Sequence, residues 1–365
     1  MLRALRLAKR GLNTTDPNPR VGCVIVSNGI VVGEGWHQRA GQAHAEVIAL
    51  RNAGDAAADA TAYVTLEPCS HYGKTPPCAD ALIAAGISRV VVAAQDPNPL
   101  VAGSGLERLR AAGIQVDCGL HAQQSELLNK GFCKRMCTGL PWILSKLAAS
   151  MDGRTALANG DSKWITSTDA RRDVHRLRAR SSALMSATGT IRADNPLLTA
   201  RLDDDSIEVL QPVRVILDSK LSLKPDLQVF QQPGRVILFT LVADARKHQT
   251  LIDNTVQVCV VSADGQGRLS LTEVFRKLAE FEINEVMIEA GPTLNGRLLE
   301  SGLVDEWLVY QAPIVLGDKA RGLFNLPVLQ SVGQAQRLNL VDVRKIGVDL
   351  RLQYCSVSEE IKNHK

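Results

Sequence analysis

Four residues of this chain have the types and order to do chemistry together: His44, Glu46, Cys69 and Cys78. An imidazole and two thiolates are donors that zinc prefers. Three protein donors leave the fourth tetrahedral position to water, whose pKa falls to roughly 7. The order His-x-Glu, then Pro-Cys and a second Pro-Cys, is that of hydrolytic zinc deamination of a base ring, in which the Glu moves protons and is not a ligand. Residues two apart point to different sides of a regular helix, so His44 and Glu46 share a site only if it lies off the helix N-terminus. The helix dipole there favours a bound hydroxide. Cys78 follows Pro76 and Pro77 at the opening of the helical stretch ADALIAAG, where a lowered thiol pKa favours the thiolate.

A lone His or Cys in a core is usually just packed, and an isolated His-x-Glu is weak evidence. The order of all four residues, the strand-to-helix context and the flanking prolines favour a catalytic zinc site. The two cysteines are eight residues apart rather than two, and the inserted SHYGKTPP carries His71 and Lys74, which could bind an anionic or carbonyl-bearing substrate. A solvated turn is the plainer alternative for that loop. Cys133 and Cys137 have no nearby His and read as incidental, while Cys23 and Cys259 lie inside strand patterns and read as buried.

The elements that must hold these residues alternate. VGCVIV, AYVTL, RVVVAA and IQVDCG read as strands and HAEVIALRNAG, CADALIAAG and GLERLRAAG as helices, which implies a mostly parallel sheet covered by helices. Each helix closes on a glycine, Gly54, Gly86 or Gly113. The polar, basic LNKGFCKRMCTG before Pro141 marks a boundary, giving domains 1–139 and 140–365. The second has PWILSKLAAS, RVILDS, RVILFT, VQVCVV, EVMIEA and EWLVYQAP as strands, with RLDDDSIEVLQP as an exposed acidic loop. The start, MLRALRLAKRGL, reads as an amphipathic helix rather than a secretory signal, and no apolar run approaches eighteen residues. A cytoplasmic protein with reduced cysteines and no membrane segment is expected. A surplus of four positive charges and 4% aromatic residues suit small anionic ligands better than nucleic acid.

A second candidate site lies in EVMIEAGPTLNGRLLESG, a strand, a Gly-Pro-Thr turn and a helix whose N-terminus could hold a phosphate; it lacks the spacing of a Rossmann fingerprint. Arg171, His175 and Arg178 fall near one helix face, either a phosphate clamp or a solvated face. Asp194 and Asp218 end apolar runs, where polar groups often meet ligands.

PNPRVGCVIV, HAEVIAL, TLEPCSHYGKTPPCADALI, DPNPLVAGSG, KLAASMDGRTA, WITS, RADNPLLTAR and EAGPTLNGRLL together closely resemble the bifunctional riboflavin-biosynthesis deaminase-reductases, over nearly the whole chain. The resemblance implies an α/β fold: an N-terminal cytidine-deaminase-like α/β/α domain and a C-terminal dihydrofolate-reductase-like α/β domain. It implies zinc-dependent deamination of 2,5-diamino-6-(5-phosphoribosylamino)pyrimidin-4(3H)-one, then reduction of the ribosyl moiety by NADPH. By motif, His44, Cys69 and Cys78 bind one zinc ion per chain and Glu46 shuttles protons. Asn18, His71, Lys74, Asp96 and Asn98 match positions that hold the pyrimidine and ribose phosphate. Ala148, Trp164, Thr190, Asp194, Ser219 and the turn of Gly291, Pro292, Thr293, Leu294, Asn295, Gly296 and Arg297 match NADPH positions. Ser162, Arg178, Leu198, Arg201 and Glu289 match substrate positions of the reductase. No motif supplies its general acid. The partners implied are small phosphorylated pyrimidines, with no nucleic acid and no membrane, and a homo-oligomer is expected. A zinc-dependent nucleic-acid base deaminase with an accessory binding domain is the competing reading, and it predicts a basic, aromatic-bearing C-terminal half that this sequence lacks. A non-catalytic metal-stabilised module would not need Glu46 beside a three-ligand site.

Overall fold

The structure, a computed structural model, describes residues 1–70, 76–99, 101–244 and 256–356. The chain divides into two compact units, Met1–Leu140 and Pro141–Lys365. Among the described residues no helix is long and apolar enough to cross a membrane.

The first unit is built on five strands, β1 (Gly22–Ser27), β2 (Ile30–Trp36), β3 (Thr61–Leu66), β4 (Arg89–Ala94) and β5 (Gln115–Cys118), in the order β2-β1-β3-β4-β5. β3, β4 and β5 run parallel, as the alternation predicts. β1 is antiparallel to both neighbours, because Asn28 and Gly29 take positive φ (50° and 77°) and turn the chain straight back into β2. Asn-Gly with both residues left-handed is the signature of a two-residue hairpin, a signal the strand reading above leaves out. β2 supplies the seat for the helix Ala45–Ala53: a Cβ on Gly33 or Gly35 would stand 2.2 or 2.3 Å from the carbonyl oxygens of Ala49 and Ala45. Only glycine lets helix and strand lie that close. Gly54, Gly86 and Gly113 all take the positive φ expected after the helices. The amphipathic start forms the helix Leu2–Ala8, burying Ala4, Leu5, Leu7 and Ala8.

The second unit carries β6 (Trp142–Ala149), β7 (Arg154–Ala156), β8 (Ala183–Ala187), β9 (Val213–Leu217), β10 (Val236–Thr240), β11 (Val256–Val260), β12 (Glu285–Ile288), β13 (Glu306–Gln311), β14 (Arg321–Gly322), β15 (Leu338–Ile346) and β16 (Asp349–Ser356). Nine form one sheet, β11-β10-β9-β8-β12-β6-β13-β16-β15, and β14 pairs with β7. From β11 to β13 the strands are parallel, and the hairpin β15-β16 closes the other edge antiparallel. Chain order reverses beside β6, so the carboxyl ends of β6, β8 and β12 border the place where such sheets bind ligands. Cys259 is only half-buried, contrary to its strand-core reading, because β11 is an edge strand. The helix Thr168–Arg180, capped by Ser167, buries Ala170, Val174 and Leu177 and turns the row Arg171, His175, Arg178 away from that packed face.

Candidate functional sites

His44 is the N-cap of the helix Ala45–Ala53 and Cys78 the first residue of the helix Cys78–Ala84, so two helix N-termini meet at one point. Cys69 joins them from the loop after β3: its sulfur accepts the Cys78 backbone N–H (3.3 Å) and its carbonyl that of Ala79 (3.2 Å). His44 Nδ1 lies 3.2 Å from Cys78 Sγ and 3.6 Å from Cys69 Sγ, and all three donor atoms lie within 4.8 Å of one another. Nitrogen and sulfur ligands at about 2.0 and 2.3 Å from a tetrahedral zinc stand roughly 3.6 Å apart, so spacing and donor chemistry both fit that ion. Among the described residues this is the one such cluster of His, Cys, Asp or Glu. The Cys69 thiol is held down to about 4, first by the hydrogen bond from the Cys78 thiol and also by His44, while the same bond and burial push Cys78 up; the lowered thiol expected at the helix start thus falls on Cys69 instead, because Cys78 is the donor of the pair. Glu46, 3% exposed, sits on the same first helical turn outside the donor set. Burial raises its carboxyl to about 7, with the Cys69 charge adding to the rise and His44 opposing it. A group of that pKa exchanges protons at neutrality.

His37 stands edge-on to the His44 ring, centroids 5.3 Å apart, and links the metal donors to Asn18. Burial lowers its pKa, which keeps the ring neutral; with Nδ1–H donating to the Ala43 carbonyl (3.2 Å), Nε2 accepts the Asn18 side-chain amide (3.0 Å). Sequence reasoning missed His37, whose one signal was its place at the end of an unread strand. Asp96 and Asn98 occupy the loop after β4, where the Asp96 carboxylate accepts the Asn98 backbone N–H (2.8 Å). His71 and Lys74 lie outside the described residues.

In the second unit Arg178 donates through Nε and Nη2 to the two oxygens of Glu289 (2.6 and 3.0 Å), and Lys146 Nζ lies 3.7 Å from the same carboxylate. Burial pushes the Glu289 carboxyl up, but the Arg178 guanidinium and the Lys146 ammonium outweigh it and bring it down to about 2. Arg178 also donates to the Thr199 carbonyl (3.1 Å), and His175 Nδ1 accepts the Arg201 backbone N–H (3.1 Å), so two helix positions about one turn apart pin the segment bearing Leu198 and Arg201. Leu198 is buried with φ of +49°, a strained value for a branched side chain. Burial, Arg178 and Arg201 lower His175 to about 4. The helix face, open to reading as a clamp or a solvated face, divides: Arg178 and His175 serve this cluster, whereas Arg171 stacks on the exposed ring of Trp164, 4.6 Å from its centroid. Lys146, two residues before Ala148 on β6, was hidden by its strand pattern.

Gly291 caps the helix Pro292–Ser301, with Pro292 in its first turn, and a Cβ at Gly291 would stand 3.8 Å from Thr190 Oγ1. Helix starts of this kind offer free N–H groups to a diphosphate, and the exposed Trp164 offers a ring face, a donor set that fits a nicotinamide dinucleotide. Leu294, Asn295 and Gly296 are buried: Asn295 accepts from the Ser145 hydroxyl (2.8 Å) and donates to the Ala290 carbonyl (2.8 Å). Arg297 spends its guanidinium on Asp264 (2.9 Å) and the Leu269 carbonyl (2.7 Å). Gly291, Pro292 and Thr293 remain accessible. Asp218 is fully engaged, accepting from Ser222 and Leu223 in its own turn and from the Thr188 hydroxyl, which leaves half-buried Ser219 as the polar side chain beside it. Asp194 is half-buried at the last position of the helix Thr188–Asp194, and Ser162 is half-buried in the loop before Trp164.

Two families match in succession. Residues 1–94 match the zinc-binding region of cytidine and deoxycytidylate deaminases, and residues 141–352 match the RibD C-terminal domain. The riboflavin biosynthesis protein RibD of Escherichia coli K12 is 51% identical over 361 residues, covering 96% of this chain and 97% of that protein. The chain belongs to the RibD family. The RibD protein of Haemophilus influenzae is 47% identical over 97% of this chain and 96% of its own length. The structure of Acinetobacter baumannii RibD superposes with a TM-score of 0.91 at 44% identity, covering 98% of both chains. The Thermotoga maritima diaminohydroxyphosphoribosylaminopyrimidine deaminase/5-amino-6-(5-phosphoribosylamino)uracil reductase superposes with a TM-score of 0.86 at 34% identity, covering 98% of this chain and 97% of that one. Like the family, this protein is a bifunctional enzyme of riboflavin biosynthesis, a cytidine-deaminase-like hydrolase joined to a dihydrofolate-reductase-like oxidoreductase.

Proposed function

We propose that residues 1–139 deaminate 2,5-diamino-6-(5-phosphoribosylamino)pyrimidin-4(3H)-one and that residues 140–365 reduce the resulting 5-amino-6-(5-phosphoribosylamino)uracil with NADPH. The observation that carries the reading is the convergence of His44, Cys69 and Cys78 beside the buried carboxyl of Glu46. One zinc held there supplies, when bound, a water acidified enough to act as nucleophile at neutral pH. Glu46 takes the proton given up as the ring C–O bond forms and passes it to the 2-amino nitrogen as that C–N bond breaks, releasing ammonia. Asn18, Asp96 and Asn98, with His71 and Lys74, hold the pyrimidine and the ribose phosphate. His37 fixes which face of the Asn18 amide is presented, because its Nε2 takes up one N–H of that amide.

In the second unit Gly291–Thr293, together with Ala148, Trp164, Thr190, Asp194 and Ser219, hold the dinucleotide; Leu294 to Arg297 contribute backbone and support. Arg178, Arg201, Leu198, Ser162 and Glu289 hold the phosphorylated sugar, and Glu289 keeps Arg178 in place by two hydrogen bonds. A dinucleotide held there would supply hydride to C1 of the ribosyl group as the bond from C1 to the ring oxygen opens and that oxygen takes a proton from solvent; what the residues named contribute is orientation. The cell compartment is the cytoplasm, where cysteines stay reduced. Exposed Leu340, Val341, Val343 and Leu350 on the β15-β16 hairpin are apolar surface of the kind a second copy of the chain covers, which supports a homo-oligomer.

The test is incubation of the purified protein with the diaminopyrimidine phosphate, with and without NADPH. Ammonia release without nucleotide, followed by NADPH oxidation only once the deaminated product has formed, is expected. No ammonia from zinc-loaded protein, or reduction of the undeaminated substrate first, overturns the assignment.

A further inference from the structure

Glu67 is a carboxylate, 6% exposed, that the chemistry above does not use, two residues before Cys69. Its oxygens accept four backbone N–H groups. Oε2 takes those of Asp96 (3.1 Å) and Gly103 (3.0 Å), and Oε1 those of Gly105 (2.8 Å) and Leu106 (3.3 Å). One side chain thus grips the loop from Asp96 to Gly103 at both ends. Inside that loop, Asp96 accepts the Asn98 N–H, and the Asn98 carbonyl accepts those of Val101 and Ala102 (3.0 and 2.9 Å). A second tie runs between the hydroxyls of Ser70 and Ser104 (2.6 Å). The approach is too close for any side chain at position 105, where a Cβ would stand 2.1 Å from the Pro68 carbonyl oxygen. The segment Glu67 to Ser70, which contains the donor Cys69, and the loop bearing Asp96 and Asn98 are therefore fastened by the same residue. A carboxylate suits the task because each oxygen accepts two N–H groups, whereas an amide offers one oxygen and turns a donor toward one of the two pairs.

We propose that Glu67 is a positioning residue of the deaminase, setting the distance between the metal donors and the side chains of Asp96 and Asn98. The inference rests on the assignment of those two residues to the substrate. A displacement of about 1 Å at such a contact costs on the order of 100-fold in rate.

Glu67→Gln, Glu67→Asp, Asn98→Ala and the double variant Glu67→Gln/Asn98→Ala, each in the full chain, test it. Glu67→Gln lowers deamination kcat/KM by roughly 10- to 100-fold, mainly through KM, with zinc content and NADPH-dependent reduction unchanged. Glu67→Asp, which keeps the charge on a shorter arm, falls between Glu67→Gln and the wild type. The double variant loses less than the product of the two single losses, since part of the Glu67 effect runs through Asn98. Unchanged KM in Glu67→Gln, full additivity in the double variant, or loss of zinc from both Glu67 variants overturns the proposal. A wild type that deaminates while Asn98→Ala leaves KM unchanged shows instead that the loop does not touch substrate. That removes the assignment and the inference together, and it differs from a failure of Glu67 alone, in which Asn98→Ala raises KM and Glu67→Gln does not.

Discussion

Glu46 and Glu289 are both buried carboxyls, one in each unit, and they are driven in opposite directions, to about 7 and about 2. Burial raises both, and what faces them decides the outcome. Glu46 looks toward sulfur donors and only one imidazole, so it keeps a proton that can be given and taken. Glu289 looks toward a guanidinium at 2.6 Å and an ammonium at 3.7 Å and stays charged. The first has the pKa of a proton carrier and the second that of a fixed anion.

Stripping the metal with a chelator tests the comparison most severely: deamination is lost entirely and returns with zinc, while reduction continues, as ammonia and NADPH assays on one sample will register. Glu46→Gln keeps zinc and lowers deamination about 10²- to 10⁴-fold, without a matching loss of reduction. Glu289→Gln leaves two cations facing each other in a buried site, so denaturant unfolding of the second unit is easier by about 3–5 kcal/mol, with zinc content unaltered.

The smallest effect is acid sensitivity. A folded pKa near 2 against 4.5 unfolded means that Glu289 contributes about 3 kcal/mol above pH 4.5, lost as pH falls toward 2. His175, lowered from 6.5 to about 4, acts in the same direction earlier, because the unfolded chain takes up its proton first. Unfolding midpoints measured from pH 7 down to 3 should fall in the wild type, and more shallowly below pH 4.5 in Glu289→Gln. Equal slopes there would remove Glu289 from the account.

Where a strand was long, apolar and β-branched, as in RVVVAA or RVILFT, the pattern located it. β8, made of ALMSA, escaped because small residues carry little strand preference. β15 and β16 escaped because an edge hairpin mixes charged residues with its apolar ones. The grouping of His44, Cys69 and Cys78 was legible because zinc chemistry admits few residue types at fixed places in the strand-helix order. Lys146, His37 and Glu67 were not, since each acts through a partner remote in sequence: Glu289, Asn18 and the loop from Asp96.

The sequence alone determined the chemistry on offer: three residues with donors that suit zinc, a nearby carboxyl, a Gly-Pro helix start and an alternating α/β order, all local features that residue type and spacing encode. Only the tertiary structure decided which charges meet. Whether a buried acid is a proton carrier or a fixed anion depends on groups within about 4 Å of it, contributed by distant parts of the chain through the low-dielectric interior.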